Sequence, residues 1–174
     1  MFQAKPHPLL VPFDGSFDVR AAPTKPAKSG KKDDPWKGQL DEEVKALGEA
    51  QYRIFADGRF AVLLVFQALD AAGKDGTIRH VFTGVNPNGL NVASFKQPSR
   101  EELAHDFLWR TTASLPERGH ITIFNRSYYE EVLVVRVHPE YLASRRLPEP
   151  LSPSFWDARC RAIADHERHL AEQG

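Results

Sequence analysis

Apolar and polar positions along this chain follow two different periods. Between residues 39 and 56, Leu40, Val44, Leu47 and Ile54 recur at helical spacing, with Gln51 on the same stripe. The pattern predicts a helix that ends before Asp57-Gly58, a turn signal. Phe60–Gln67 (FAVLLVFQ) is instead a short unbroken apolar run. Its length and valine content predict a strand buried on both faces, as in a parallel sheet. A glycine-bearing loop over 68–76 leads into a helix over 76–84. Asn86-Pro87-Asn88-Gly89 marks a turn, and Leu90–Phe95 a second strand. Ser99 and Glu102 have the spacing of a capping box. They predict a helix with Leu103, Ala104, Phe107 and Leu108 turned inward, ending near Leu115 because Pro116 follows. His120–Phe124 (HITIF) is a third strand, and Ser127–Arg136 reads as helical. A last helix opens at Ser152-Pro153, with Trp156, Cys160, Ile163 and Leu170 on one stripe and Cys160 as a core residue.

The resulting order, α-β-α-β-α-β-α-α, predicts an α/β fold with a parallel sheet and right-handed crossovers. Ligands of such sheets bind beyond the carboxyl ends of the strands. Two loops leave those ends with unusual chemistry, 67–77 and 125–136.

Composition narrows the function classes. The 174 residues fit one domain, and 23 Lys+Arg balance 23 Asp+Glu for a net charge of zero. That excludes a nucleic-acid binder built on a bulk positive field. The 41% hydrophobic and 26% charged residues exclude a wholly disordered chain. The run Phe60–Phe66 is far too short to span a membrane, which needs about 20 apolar residues. Prolines stand where a signal peptide would have its apolar core, and the single Cys160 can form no internal disulfide. A cytoplasmic protein without membrane or nucleic-acid partners is expected. Residues 1–38 form a Pro/Lys-rich extension, and Pro23–Lys32 reads as a mobile basic segment. Residues 39–174 form the domain.

The loop 67–77 reads Gln-Ala-Leu-Asp-Ala-Ala-Gly-Lys-Asp-Gly-Thr. The phosphate-binding pattern is G-x-x-x-x-G-K-[ST] between a strand and a helix. Gly73-Lys74 match it, whereas Ala68 replaces the first glycine and Asp75 the hydroxyl residue. Small residues Ala71, Ala72 and Gly73 let backbone N–H groups approach an anion, and the helix start adds a partial positive charge. Lys74 supplies a mobile point charge. Asp70 is the departure that informs. A carboxylate inside a phosphate cradle is repulsive unless a cation or a proton intervenes, which points to Mg²⁺ or to orienting an acceptor phosphate.

Three blocks resemble the polyphosphate kinase 2 family, in its order and spacing. They are Gln67–Pro87, then Phe95–Pro98 with Glu101–Arg110, then Gly119–His138. The resemblance is closest to the branch with Asn-Arg-Ser after the third strand. It implies a P-loop kinase-like, three-layer α/β/α phosphotransferase. Such a protein moves phosphate between inorganic polyphosphate and nucleoside mono- or diphosphates (AMP/ADP or GDP) with Mg²⁺, or Mn²⁺. It implies that Asp70, Lys74 and Arg126 are catalytic, with Asp70 and Asn125 near the metal. Because Asn125 is not a carboxylate, Glu130 or Glu131 is expected to supply one.

A neutral protein holds a polyanion only by gathering its cations. Lys74, Arg79, Lys96, Arg110, Arg126 and Arg136 lie at strand ends or in the blocks and are expected to line a channel. Asp75 and Gly76 join Ala71, Ala72 and Gly73 in the phosphate-binding set. His105-Asp106 is read as structural. Relatives of this kind usually continue for about another hundred residues, so the C-terminal strands and lid are expected to be missing here. The first strand, central in the usual order, would then carry an exposed edge. A homo-oligomer is expected. The rival functions are an ATP-dependent nucleotide kinase and a phosphate-binding module without turnover.

Overall fold

The computed structural model describes residues 6–7, 9–12, 14–22, 35–69, 71–148 and 151–174. The basic segment Pro23–Lys32 and Asp70 lie outside the described residues. Helices α1 (Pro35–Asp57), α2 (Lys74–Phe82), α3 (Trp109–Thr112), α4 (Val134–Val137) and α5 (Phe155–Gln173) surround strands β1 (Val62–Phe66), β2 (Leu90–Ser94) and β3 (Ile121–Asn125). The sheet is parallel, in the order β1-β3-β2. Its register places Phe66 and Ser94 on either side of Asn125, so all three strands end at one rim.

Strand β3 is the doubly buried one. Ile123 faces a layer formed by Ile78, Phe82 and Val85, with Leu47 of α1 against it. Phe124 faces the opposite layer of Phe95, Tyr128, Val132 and Ile163 of α5. Alternation along one strand thus builds both halves of the α/β/α core. β1 is half-buried throughout and takes a sheet edge. The double burial expected of its apolar run belongs to the neighbouring strand.

Three helix readings change. The capping box at Ser99 forms as spaced: the Glu102 N–H donates to Ser99 Oγ at 3.2 Å, and the Ser99 N–H to Glu102 Oε2 at 2.6 Å. The helix it opens is only the turn Glu102–Ala104, because His105 is extended and Asp106 Oδ1 accepts the Leu108 N–H to start afresh. The helix expected over Ser127–Arg136 splits into a 3-10 turn, Tyr128–Glu131, and α4. A further 3-10 turn over Pro139–Arg145 has no apolar period to announce it. In α5, Cys160 is exposed and Arg159 is buried in its place. Among the described residues no helix is long and apolar enough to cross a membrane.

Candidate phosphate-binding site

A cleft of about 670 Å³ opens at the carboxyl rim of the sheet. One wall is the loop and helix start Ala71–Gly76, the other is Ser94–Gln97, and Asn125 and Arg126 lie between. The strands explain the meeting. Arg126 N–H donates to the Phe66 carbonyl at 3.0 Å, and Phe95 N–H to the Asn125 carbonyl at 3.0 Å. The residues that leave β3 therefore stitch the ends of both neighbours.

Helix α2 starts two residues earlier than the sequence pattern indicates, at Lys74. Gly73 caps it at φ 84, a left-handed conformation natural to glycine, and among the described residues no side chain caps the free N–H groups. Ala71 and Arg126 are also left-handed, at φ 62 and φ 64. Such conformations are costly for residues with a Cβ, and here two of them border one cleft.

Among the described residues, the charged groups at the start of α2 bond to one another. Lys74 Nζ donates to Asn125 Oδ1 through a short hydrogen bond and to Asp75 Oδ1 at 3.0 Å. Asn125 Nδ2 donates to the same Asp75 oxygen at 2.8 Å. The Asn125 amide and then Lys74 hold the Asp75 carboxyl below its ordinary value near 3.8. Asn125 suits this geometry because it offers an acceptor to the ammonium and a donor to the carboxylate. Behind the set, Gln67 Nε2 donates to Glu130 Oε1 at 2.5 Å, and Glu130 Oε2 lies 3.8 Å from Arg126 Nη1.

The structure brings together Ala71, Ala72, Gly73, Lys74, Asp75, Gly76, Lys96, Asn125 and Arg126 of the expected residues. Others lie elsewhere. Arg79 and Arg136 are exposed on α2 and α4 and do not line the cleft. Arg110 turns inward, with Nε 3.2 Å from Glu102 Oε1 and Nη2 donating to the Lys96 carbonyl at 2.8 Å. It fixes the segment that carries Lys96. Glu131 is buried, and both its oxygens are taken by guanidiniums: Oε1 by Arg145, and Oε2 by Arg159 at 2.7 Å. It is not exposed to the cleft. His105 stacks on Trp109 with centroids 4.0 Å apart, and Asp106 caps a turn, as structural residues do. Sequence reasoning missed Gln67 and the wall residues Ser94, Phe95 and Gln97. Gln67, Phe95 and Gln97 fall inside the blocks that carry the family resemblance, whereas Ser94 is signalled only by its position at a strand end.

Among the described residues no three carboxylates, histidines or cysteines gather as a metal cage. Mg²⁺ does not require one, since it keeps water and takes one or two carboxylates plus phosphate oxygens. Asp75, with its side chain 80% exposed, is the one carboxylate lining the cleft among the described residues. That donor set fits a magnesium ion carried in on phosphate.

A parallel sheet, a small-residue loop, and a lysine at the helix start facing an Asn-Arg pair on the next strand define a P-loop α/β protein. The chain belongs to the polyphosphate kinase 2 family: the sequence model of that family matches residues 30–174. It is 58% identical over 137 residues to the ADP-polyphosphate phosphotransferase of Rhodopseudomonas palustris, covering 78% of this chain and 47% of that protein. It is 48% identical over 130 residues to the AMP/ADP-polyphosphate phosphotransferase of Meiothermus ruber, covering 75% of this chain and 45% of the relative. The fold matches the crystal structure of polyphosphate kinase 2 from Arthrobacter aurescens with a TM-score of 0.77 at 33% identity, covering 92% of this chain and 55% of that one. The chain spans about half the length of the curated relatives it matches.

Proposed function

We propose that this chain carries the phosphate-loop half of a Mg²⁺-dependent phosphotransferase that moves phosphate between inorganic polyphosphate and a nucleoside mono- or diphosphate. The observation that carries the reading is Lys74, at the first turn of α2, held on Asn125 at the rim of a cleft walled by small residues. Adenosine diphosphate is the first acceptor to test, because the two relatives above are named for ADP and for AMP/ADP.

Phosphoryl transfer depends on positioning and on charge stabilisation more than on covalent chemistry. The arriving phosphate takes the place of the Asp75 carboxylate on the Lys74 ammonium. Backbone N–H groups at the start of α2 bind its oxygens. Arg126, between the two walls, and Lys96, on the second wall, supply further positive charge. Mg²⁺, or Mn²⁺, would be held by Asp75 together with Asp70 of the same loop, and it supplies charge neutralisation among the phosphate oxygens. Asn125 places Lys74 in this scheme and leaves the metal to the loop carboxylates.

The test supplies the chain with polyphosphate and ADP or AMP, without ATP, and looks for new ATP or ADP. Turnover that Asp70→Asn abolishes, with polyphosphate binding retained, is the expected result. Turnover with ATP as the only effective donor would instead make it an ordinary nucleotide kinase. Binding without turnover for every donor would make it a phosphate-binding module.

A further inference from the structure

The turn Tyr128–Glu131 follows Arg126 after one residue, Ser127, and it is tied to α5 by two separate sets of side chains. The first is charged. Glu131 sits between Arg145 and Arg159, with side-chain exposures of 4%, 10% and 8%. The Arg159 guanidinium also lies over the rings of Phe107 and Phe155, at 4.6 and 4.7 Å. Burial lowers the pKa of Arg159, while the Glu131 carboxylate opposes that shift. The second set is neutral donors on a carboxylate. The hydroxyls of Tyr128 and Tyr129 both donate to Glu167 Oε1, each at 2.8 Å. Burial, and then Glu167, push both phenols far above their usual range.

Neither set touches the cleft. Their effect passes through the chain between them. Arg126 is held in a left-handed conformation at φ 64 and bonded to Phe66, a geometry that its own preferences oppose. Something must hold the residues after it. Ser127 Oγ accepts the Tyr129 N–H at 3.2 Å, which links Arg126 to the anchored turn within three residues. Glu130, in the same turn, reaches back to Gln67 and Arg126.

We propose that Glu131 and Glu167 are positioning residues: they clamp the turn 128–131 to α5 and so hold Arg126 at the cleft, with Glu130 behind it. This deepens the phosphate-site reading and rests on it for its functional consequence. It assigns Glu131 to α5 and not to a metal, and it makes a helix about thirty residues downstream part of the site's support.

The test is amide hydrogen exchange on the full chain, with inorganic tripolyphosphate affinity measured by calorimetry alongside. Glu167→Ala removes the acceptor of both hydroxyls, and should speed exchange of the Arg126 N–H about tenfold. The N–H groups of β3 should be unchanged. Tripolyphosphate affinity should fall about five- to tenfold. Glu167→Gln keeps an acceptor oxygen and should restore both. Arg168→Ala, which removes an exposed α5 ion pair with Asp165, should alter neither. If Glu167→Ala does not fold, Tyr129→Phe removes one donor only and should speed Arg126 about threefold. Unchanged Arg126 exchange overturns the proposal. So does equal acceleration across β3, acceleration in Arg168→Ala, or failure of Glu167→Gln to rescue. Wild type that does not bind tripolyphosphate would sink the phosphate reading, while the exchange data still decide whether α5 holds Arg126.

Discussion

Two carboxylates in this molecule sit among cationic and amide donors, and their surroundings give them opposite fates. Asp75 meets Lys74 and Asn125 at the cleft with its own side chain 80% exposed, while the Lys74 side chain is 13% exposed and only its carboxylate partner stands in water. Glu131 meets Arg145 and Arg159 at 4% exposure. In the first case water screens the attraction, and an arriving anion can replace the carboxylate. In the second the charges have been taken out of water, and each depends on the others. The exposed set is an exchangeable ligand site. The buried set is a fastener, and no phosphate can compete for it without opening the core.

Breaking the fastener has the largest expected effect. Glu131→Gln leaves two buried guanidiniums without a counter-charge, at a cost of about 3–5 kcal/mol. For a chain of this size that lowers Tm by roughly 6–20 °C. Thermal denaturation followed by circular dichroism checks it. A loss under about 1 kcal/mol would mean that the buried set is not the stronger one, and the contrast with Asp75 would collapse.

The exposed set should show the reverse, with little change in stability and a large change in binding. Lys74→Met is expected to leave Tm nearly unchanged and to weaken tripolyphosphate about 10- to 100-fold, the worth of a charge-assisted hydrogen bond. Asp75→Asn sharpens the point through its sign. Without metal it frees Lys74 and should tighten tripolyphosphate a few-fold. With Mg²⁺ it removes a ligand and should weaken it. The titration of Asp75 gives a second reading of the same exchange. Its folded pKa is depressed, so the contact is fully present above pH 3.8 and is lost as pH falls through the lower folded value. Bound tripolyphosphate should draw Lys74 away and move that titration upward, as carboxyl NMR would record. A titration that does not move would show that phosphate and Asp75 do not share Lys74.

The same contrast separates what was legible in the sequence from what was not. The strands were legible because short apolar runs between turns have few alternatives, and Lys74 because Gly-Lys at a strand-to-helix junction has a physical purpose. Asn125 and Arg126 were reached through family resemblance, and the structure supplies the reason: they leave the central strand between its two neighbours. The buried set was illegible. Periodicity assigns charges to the surface, so the α5 stripe went to Cys160, and Arg159 was passed over. Its partners Glu131 and Arg145 are 28 and 14 residues away, and no spacing rule joins them. Arg110 failed for a related reason. A cation in a motif block invites a phosphate, whereas this one is already bonded to Glu102 and to the Lys96 carbonyl. The helix expected beyond Ser99 failed locally, since Asp106 offers its side chain to the Leu108 N–H.

The smallest expected effect tests whether the cleft holds strain for its ligand. Ala71 is exposed at φ 62, where a Cβ is disfavoured by about 1–2 kcal/mol. Glycine removes that cost, but it widens the unfolded ensemble by about 0.4–1 kcal/mol. Ala71→Gly should therefore stabilise the chain by roughly 0.5–1 kcal/mol and raise Tm by about 1–4 °C. If the left-handed alanine is there to stiffen the loop, the same change should weaken tripolyphosphate by a few-fold, because the freed loop must be ordered again on binding. A gain in stability with no loss of affinity would show that Ala71 is merely tolerated. A loss of stability would show that the loop relaxes to another conformation, and that the cradle of N–H groups around Gly73 depends on the ligand to form.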